Sequence, residues 1–266
     1  MVGKHNHLED EYAEDEAYCR EHLGIKNAKG LLARRLRELS APSGQEDFRS
    51  CPLQRGRFLV VDLETTGMKS DRSEIIEVGA VEVDGFRLGR ELSSLVNPGT
   101  PVPPFIRRLT GIHDRMLRSA PSLEEVLPSL EGMLRDRVLV AHNLKFDQAF
   151  LKKAWREVWD LPLDGPSLCS LLLARRVYPE LNSHKLDSLA AHLNIRPEPG
   201  GSKARHRALG DARMTAKALV SMLQNLTGKG MDNMEELLSL QSSRPKKKKV
   251  PLPQPGEESI SEAGSS

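Results

Sequence analysis

The feature that most constrains this chain is an unbroken apolar run, Phe58-Leu59-Val60-Val61, that leads into Asp62-Leu63-Glu64-Thr65-Thr66-Gly67. Such a run of strand formers reads as a buried central strand. Side chains alternate along a strand, so residues i and i+2 share a face, and Asp62 and Glu64 point to the same place. Two carboxylates at the end of a buried strand repel each other and are costly without a cation. A hard divalent cation with oxygen ligands removes that cost. Two solvated acids at a strand end account for the same spacing, so the pair alone leaves both readings open.

The 266 residues, 38% hydrophobic and 29% charged, suit one globular domain with extensions, or at most two small domains. A net charge of +2 neither demands nor opposes a nucleic-acid partner. No apolar stretch approaches the ~18 residues of a membrane helix. Met1 to Asp10 is polar and then acidic, unlike a secretory signal. Cys19, Cys51 and Cys169 lie far apart and form neither a disulfide framework nor a zinc pattern. The expectation is a cytoplasmic protein with reduced thiols, Cys169 lying in the core or beside the site.

Residues 1–56 read as an N-terminal extension: an acid-rich stretch, one amphipathic helix over Leu31–Leu39, and a linker to Gly56. His5 and His7 read as part of a solvated terminus. Residues 57–227 read as the main domain. Ile75–Val83 is a second strand with acids at Glu77 and Glu82, Asp84-Gly85 signals a hairpin, and Leu88–Val96 completes a three-strand antiparallel meander. Short helical or turn segments over Phe105–Ile112 precede a helix from Ser122 to about Arg135. Val138–Ala141 is a fourth buried strand. It leads through His142 and Asn143 into a helix running to Trp159, on which Trp155 and Trp159 pack as i,i+4 neighbours. Leu161–Leu168 can hold a short fifth strand. Helices follow at Leu171–Val177, Lys185–Leu193 and, after a flexible loop at Pro197–Ser202, Arg207–Leu226. Strands first, then alternating strands and helices, predict an α/β domain with a mixed sheet covered by helices. Residues 228–266 read as a C-terminal tail: a short helix over Met231–Leu240, then a disordered basic and Pro-rich segment around Lys246–Lys249. That lysine run either touches phosphate backbones without sequence preference or is simply solvated.

Three further residues bear on the first two acids. Asp147 begins the helix after the fourth strand, where α/β folds tend to place their sites. Asp211 begins the last long helix, and His206 lies just before it. Singly, each has a plain explanation as a helix-dipole acid or a surface histidine. Together, Asp62-x-Glu64-Thr65-Thr66-Gly67, Asn143-x-x-Phe146-Asp147 and His206-x-x-x-x-Asp211 resemble the three motifs of the DEDDh, or DnaQ-like, 3′→5′ exonucleases. That family includes the epsilon proofreading subunit of bacterial DNA polymerase III. The resemblance spans about residues 57–225, with Asn97-Pro98 and Leu109-Thr110-Gly111-Ile112 as further signatures.

The resemblance implies a ribonuclease H-like fold, a five-stranded mixed sheet with helices on both faces. It implies two Mg²⁺ ions, with Mn²⁺ as a substitute, acting on nucleic-acid 3′ ends. Asp62 would bridge both ions, Glu64 and Asp211 would complete the tighter site, and Asp147 would hold the second ion through water. His206 would take a proton from the attacking water. Thr65 would sit against the terminal nucleotide, and Asn143 and His142 are substrate-contact candidates, His142 being equally readable as a buried structural histidine. Single-stranded DNA is the expected substrate. An exoribonuclease, or a polymerase subunit using Met231–Leu240 and the basic tail as a handle, are the alternatives. A binding module without catalysis would not need the full acid set.

Overall fold

The computed structural model describes residues 48–196 and 207–242. The expected helix at Leu31–Leu39, the loop at Pro197–Ser202, His5, His7, Cys19, His206 and the basic run near Lys246 lie outside the described residues. Five strands form one sheet: β1 (Arg57–Thr65), β2 (Ile75–Asp84), β3 (Arg87–Leu95), β4 (Val138–Ala141) and β5 (Ser167–Cys169), in the order β3-β2-β1-β4-β5. β1 pairs antiparallel with β2, and β2 with β3, while β4 lies parallel to both β1 and β5. The helices are α1 (Pro104–Thr110), α2 (Asp114–Leu117), α3 (Leu123–Leu134), α4 (Lys145–Trp159), α5 (Ser170–Val177), α6 (Leu186–His192), α7 (Ala208–Gly228) and α8 (Met234–Ser242).

The alternation of β1 assigns the helices to the two faces. Phe58 and Val60 pack with Ala212, Ala216 and Leu219 of α7 and with residues of α5, α6 and α8. Leu59, Val61 and Leu63 pack with Leu127 and Leu130 of α3 and Phe150, Leu151 and Ala154 of α4. Trp155 and Trp159 meet edge to face with centroids 5.1 Å apart. The ribonuclease H-like architecture is therefore as the sequence predicts, with helices against both faces of a mixed sheet.

The differences have local causes. The fifth strand occupies only Ser167–Cys169, because Pro162 and Pro166 lack N–H donors and Asp160 and Gly165 take positive φ. The chain on either side of the expected domain boundaries also packs into the fold. Leu53, Met234 and Leu237 are fully buried in the same core as Phe58. Leu53 N–H donates to Asp232 O, and Met234 N–H to Cys51 O. The side-chain amide of Gln241 takes the Cys169 N–H at 2.9 Å and gives to Ser167 O at 2.7 Å, pairing the outer edge of β5. α8 is thus built into the domain, and its Met234 and Leu237 are not available as a handle. Neither Cys51 nor Cys169 is in a disulfide. Among the described residues no helix is long and apolar enough to cross a membrane.

β2 is buried on both faces, which explains why its acids break the alternation of the run. Glu82 is held by Arg90 at 2.6 Å and by Arg137 at 3.3 Å, and Arg137 also holds Asp84. Glu82 and Arg137 are both almost fully buried, so truncating one removes part of the compensation of a buried charge. Arg137→Ala is expected to cost about 3 kcal/mol, read as a lower urea midpoint with an unchanged slope. Arg90 still pairs with Glu82, which puts the loss near the low end of the range for buried pairs.

Candidate active site

Asp62 and Glu64 continue the face of β1 that begins at Phe58 and Val60, so they point toward α7. Asp211, in the first turn of α7, meets them there. One carboxylate oxygen from each of Asp62, Glu64 and Asp211 lies within 4.8 Å of the other two. Asp147 arrives from α4, on the opposite face. Beyond the last β1–β4 partners, Val60 and Val140, Leu63 donates its N–H to Asp147 Oδ1 at 3.1 Å. Asp147 is buried and stands outside the group of three. The structure therefore brings all four predicted acids to one end of β1, three on one face and the fourth at the margin.

The rest of the predicted set separates into exposed and committed groups. Asn143 is exposed and left-handed at φ 73, in the turn where β4 gives way to α4. An asparagine tolerates that conformation better than most residues. Thr65 is buried, and its hydroxyl donates to Gly67 O at 2.7 Å. His142 uses both ring nitrogens inside the fold. Nε2 faces His184 O at 3.0 Å, which requires a donated proton, and Nδ1 faces Ser170 Oγ at 3.0 Å. Burial pushes this imidazole down to about 4, so it is neutral. The structural reading of His142 fits these bonds, and neither nitrogen is left for a substrate. Thr66 closes the loop after β1, donating its N–H to Glu74 O and accepting the Glu74 N–H on Oγ1. Lys153 of α4 pins the same loop through Ser73 O and Glu74.

The electrostatics are those of buried carboxylates crowded together. Burial, then repulsion from Asp147, Asp211 and Glu64, pushes Asp62 well above the usual carboxylate range. Burial, then Asp211, Glu77 and Asp147, pushes Glu64 up to about 8, with Arg207 opposing. Burial pushes Asp147 up to about 7 against the backbone N–H groups it accepts. A divalent cation compensates such a cluster, and a donor set of carboxylate oxygens alone suits Mg²⁺ or Mn²⁺ rather than a softer metal. The residues present fit that group.

Two residues behind the cluster were not singled out from the sequence. Glu77, the β-partner of Glu64, binds Arg207, the residue that opens onto α7. Gly79, the partner of Asp62, lies against the α7 backbone. The available signal was an acid inside an apolar strand, which demands a cation from elsewhere in the chain.

The chain matches the RNase T family model, described as an exonuclease, over residues 59–219. It is 38% identical over 171 residues to DNA polymerase III subunit epsilon of Aquifex aeolicus, covering 64% of this chain and 82% of that protein. It is 36% identical over 189 residues to the PolC-type DNA polymerase III of Caldanaerobacter subterraneus subsp. tengcongensis, covering 71% of this chain and 13% of that much longer protein. Among solved structures, exonuclease X in complex with 5′ overhanging duplex DNA superposes with a TM-score of 0.56. It is 24% identical, and the match covers 69% of this chain and 99% of that one, a likeness of fold.

Proposed function

Because the chain belongs to the DnaQ-like exonuclease family, we propose that it hydrolyses phosphodiester bonds at the 3′ ends of single-stranded DNA. Nucleoside monophosphates are the products, and proofreading or repair is the setting, in the cytoplasm. The observation that carries this reading is the meeting of Asp62, Glu64 and Asp211 within 4.8 Å, with Asp147 bonded to the same strand end. Asp62, Glu64 and Asp211 would hold one divalent ion and Asp147, with Asp62, a second. When bound, such ions supply charge stabilisation to the attacking and leaving oxygens of an in-line displacement.

The chain's own residues position the rest. With the Thr65 hydroxyl committed to Gly67, the backbone of this loop is the surface offered to the terminal nucleotide. Asn143 offers an exposed amide at the same end of the sheet. His142 holds the end of β4 to α5 and to the turn before α6. His206 takes the proton of the attacking water, a role that suits histidine, whose side chain in general has an unperturbed pKa of ~6.5. Similarity to a polymerase III epsilon subunit supports a polymerase partner. With α8 packed into the domain, the handle in that reading is the chain beyond residue 242.

End-labelled oligonucleotides test the proposal: single-stranded DNA, single-stranded RNA, and duplex DNA with a paired or mismatched 3′ end, each with Mg²⁺, Mn²⁺ or EDTA. Stepwise, metal-dependent loss from DNA 3′ ends is the expected result. Preference for RNA would move the same site to RNA trimming, and no cleavage of any substrate would overturn the enzyme reading. His206→Ala is expected to lose roughly 10²–10⁴-fold in turnover while binding Mn²⁺ as the parent does. Near-parental hydrolysis would assign the base to another group.

A further inference from the structure

The start of α7 is seated on the sheet by groups that stand behind the carboxylate cluster. Glu77 is 1% exposed and pairs across the ladder with Glu64, so the two acids share a face. Among the described residues its compensation comes from the chain entering α7. Arg207 donates Nε to both Glu77 oxygens, at 2.9 and 3.1 Å, and Nη2 to Oε1 at 2.7 Å. Glu77 Oε2 also accepts the N–H of Ala208, the first residue of α7, at 3.0 Å. One buried carboxylate thus receives a two-pronged guanidinium and one of the backbone donors that a helix start leaves unpaired.

Gly79 lies two residues further along β2, on the same face and opposite Asp62. A Cβ there would run into the backbone of Ala208 and Leu209, atoms that cannot move aside as a side chain can. The helix backbone therefore touches the strand where any other residue would hold it off. Below this point α7 meets the sheet first through Ala208, Ala212 and Ala216, and only two turns or more from Asp211 through larger side chains such as Leu219 and Met222, all fully buried. The alanines of the first turns allow close approach but by themselves do little to fix the helical setting at Asp211. A slip of one residue turns a helix by ~100°, which would carry Asp211 off the cluster. Asp211 is one turn from the anchored residue, its N–H donating to Arg207 O at 3.1 Å.

We propose that Glu77 and Arg207, with Gly79 beneath, form a positioning clamp that sets the rotation and height of α7, and so places Asp211 beside Asp62 and Glu64. Its catalytic consequence rests on the exonuclease reading; its structural consequence does not. The clamp also fixes the residue to which His206 is bonded. A bidentate, charge-assisted pair suits the task because it is satisfied in one geometry, unlike a point charge.

The full chain is the test object, with Glu77→Gln, which keeps shape and loses charge, and Arg207→Lys, which keeps charge and loses the fork. In both, amide hydrogen exchange at residues 208–212 is expected to speed up while the rest of the sheet keeps its protection. Mn²⁺ affinity without nucleic acid, read by electron paramagnetic resonance, is expected to fall roughly 10–100-fold, as for groups that orient metal ligands. The fall in hydrolysis should appear in kcat, with KM for the oligonucleotide little changed. Parental exchange at 208–212 together with parental Mn²⁺ affinity in either folded variant would overturn the clamp. If Glu77→Gln does not fold, Arg207→Lys decides alone, since its side chain is 40% exposed and its loss leaves a cation in place. If the parent cleaves nothing, the exonuclease reading falls, and the exchange and Mn²⁺ measurements still decide the clamp.

Discussion

Asp62→Asn is expected to abolish measurable hydrolysis while raising the stability of the metal-free protein. The two effects have opposite signs and one cause. Asp62 is crowded by the other acids, with Asp147, Asp211 and Glu64 all raising it after burial. In the proposed mechanism it serves both ions, so its loss removes charge stabilisation of the transition state. That stabilisation is worth several kcal/mol. At ~1.4 kcal/mol per decade, the loss is on the order of 10³-fold or more in kcat. The asparagine keeps the shape and drops the charge, which relieves repulsion in the absence of metal. Steady-state hydrolysis in Mg²⁺ and thermal melting in EDTA at mildly alkaline pH check the pair of effects. Were Asp62 merely a solvated acid at a strand end, neither measurement would move, and that result would reject the assignment.

The parts of this site legible in the sequence are those carried by periodicity. The apolar run before Asp62 reveals β1, and a period of two puts Asp62 and Glu64 on one face. The family resemblance then orders Asp147 and Asp211 behind them. The arrival of Asp147 from the opposite face, through the Leu63 N–H, is not legible, because it depends on where β4 stops pairing with β1. Glu77 and Arg207 are 130 residues apart and belong to no periodic pattern. The antiparallel register of β1 and β2 sets Glu77 beside Glu64, and the seating of α7 brings Arg207 to it, both of which only the folded sheet provides. The same holds for α8: a short amphipathic helix after a long one reads as a tail, and its burial follows from partners around Leu53 that look like linker. His142 shows the complementary case. A histidine next to a motif invites a substrate role, whereas its two hydrogen bonds tie it into the interior.

The metal-free protein is expected to lose stability as pH rises from about 4 to about 8, and Mg²⁺ to reverse the trend. Glu64 is pushed up to about 8 and Asp147 to about 7, both above their values in the unfolded chain. Between the unfolded and folded values the native state retains protons that the unfolded chain has released. The unfolded state then binds fewer protons, so the slope of unfolding free energy with pH is negative over that window. Asp84 and Glu91 act the other way. Arg137 and Arg213 hold them below the usual carboxylate range, so their contribution is present above the unfolded values and fades as pH falls through the folded ones. Together these place the stability maximum of the metal-free protein on the mildly acidic side. Mg²⁺ binds the ionised carboxylates, so its affinity grows with pH through the same window. At a hundredfold excess over its dissociation constant it adds about 2.7 kcal/mol, which is roughly 5–10 °C in Tm for a domain of this size. Melting curves in EDTA and in Mg²⁺ across the window read both trends. A Tm in EDTA that climbs steadily toward alkaline pH would mean that the cluster is already compensated by groups of the chain itself, and the cation would lose its structural warrant. A Tm that falls in EDTA and is restored by Mg²⁺, but not by an equal ionic strength of Na⁺, would tie the carboxylates to a divalent ion before any substrate is tried.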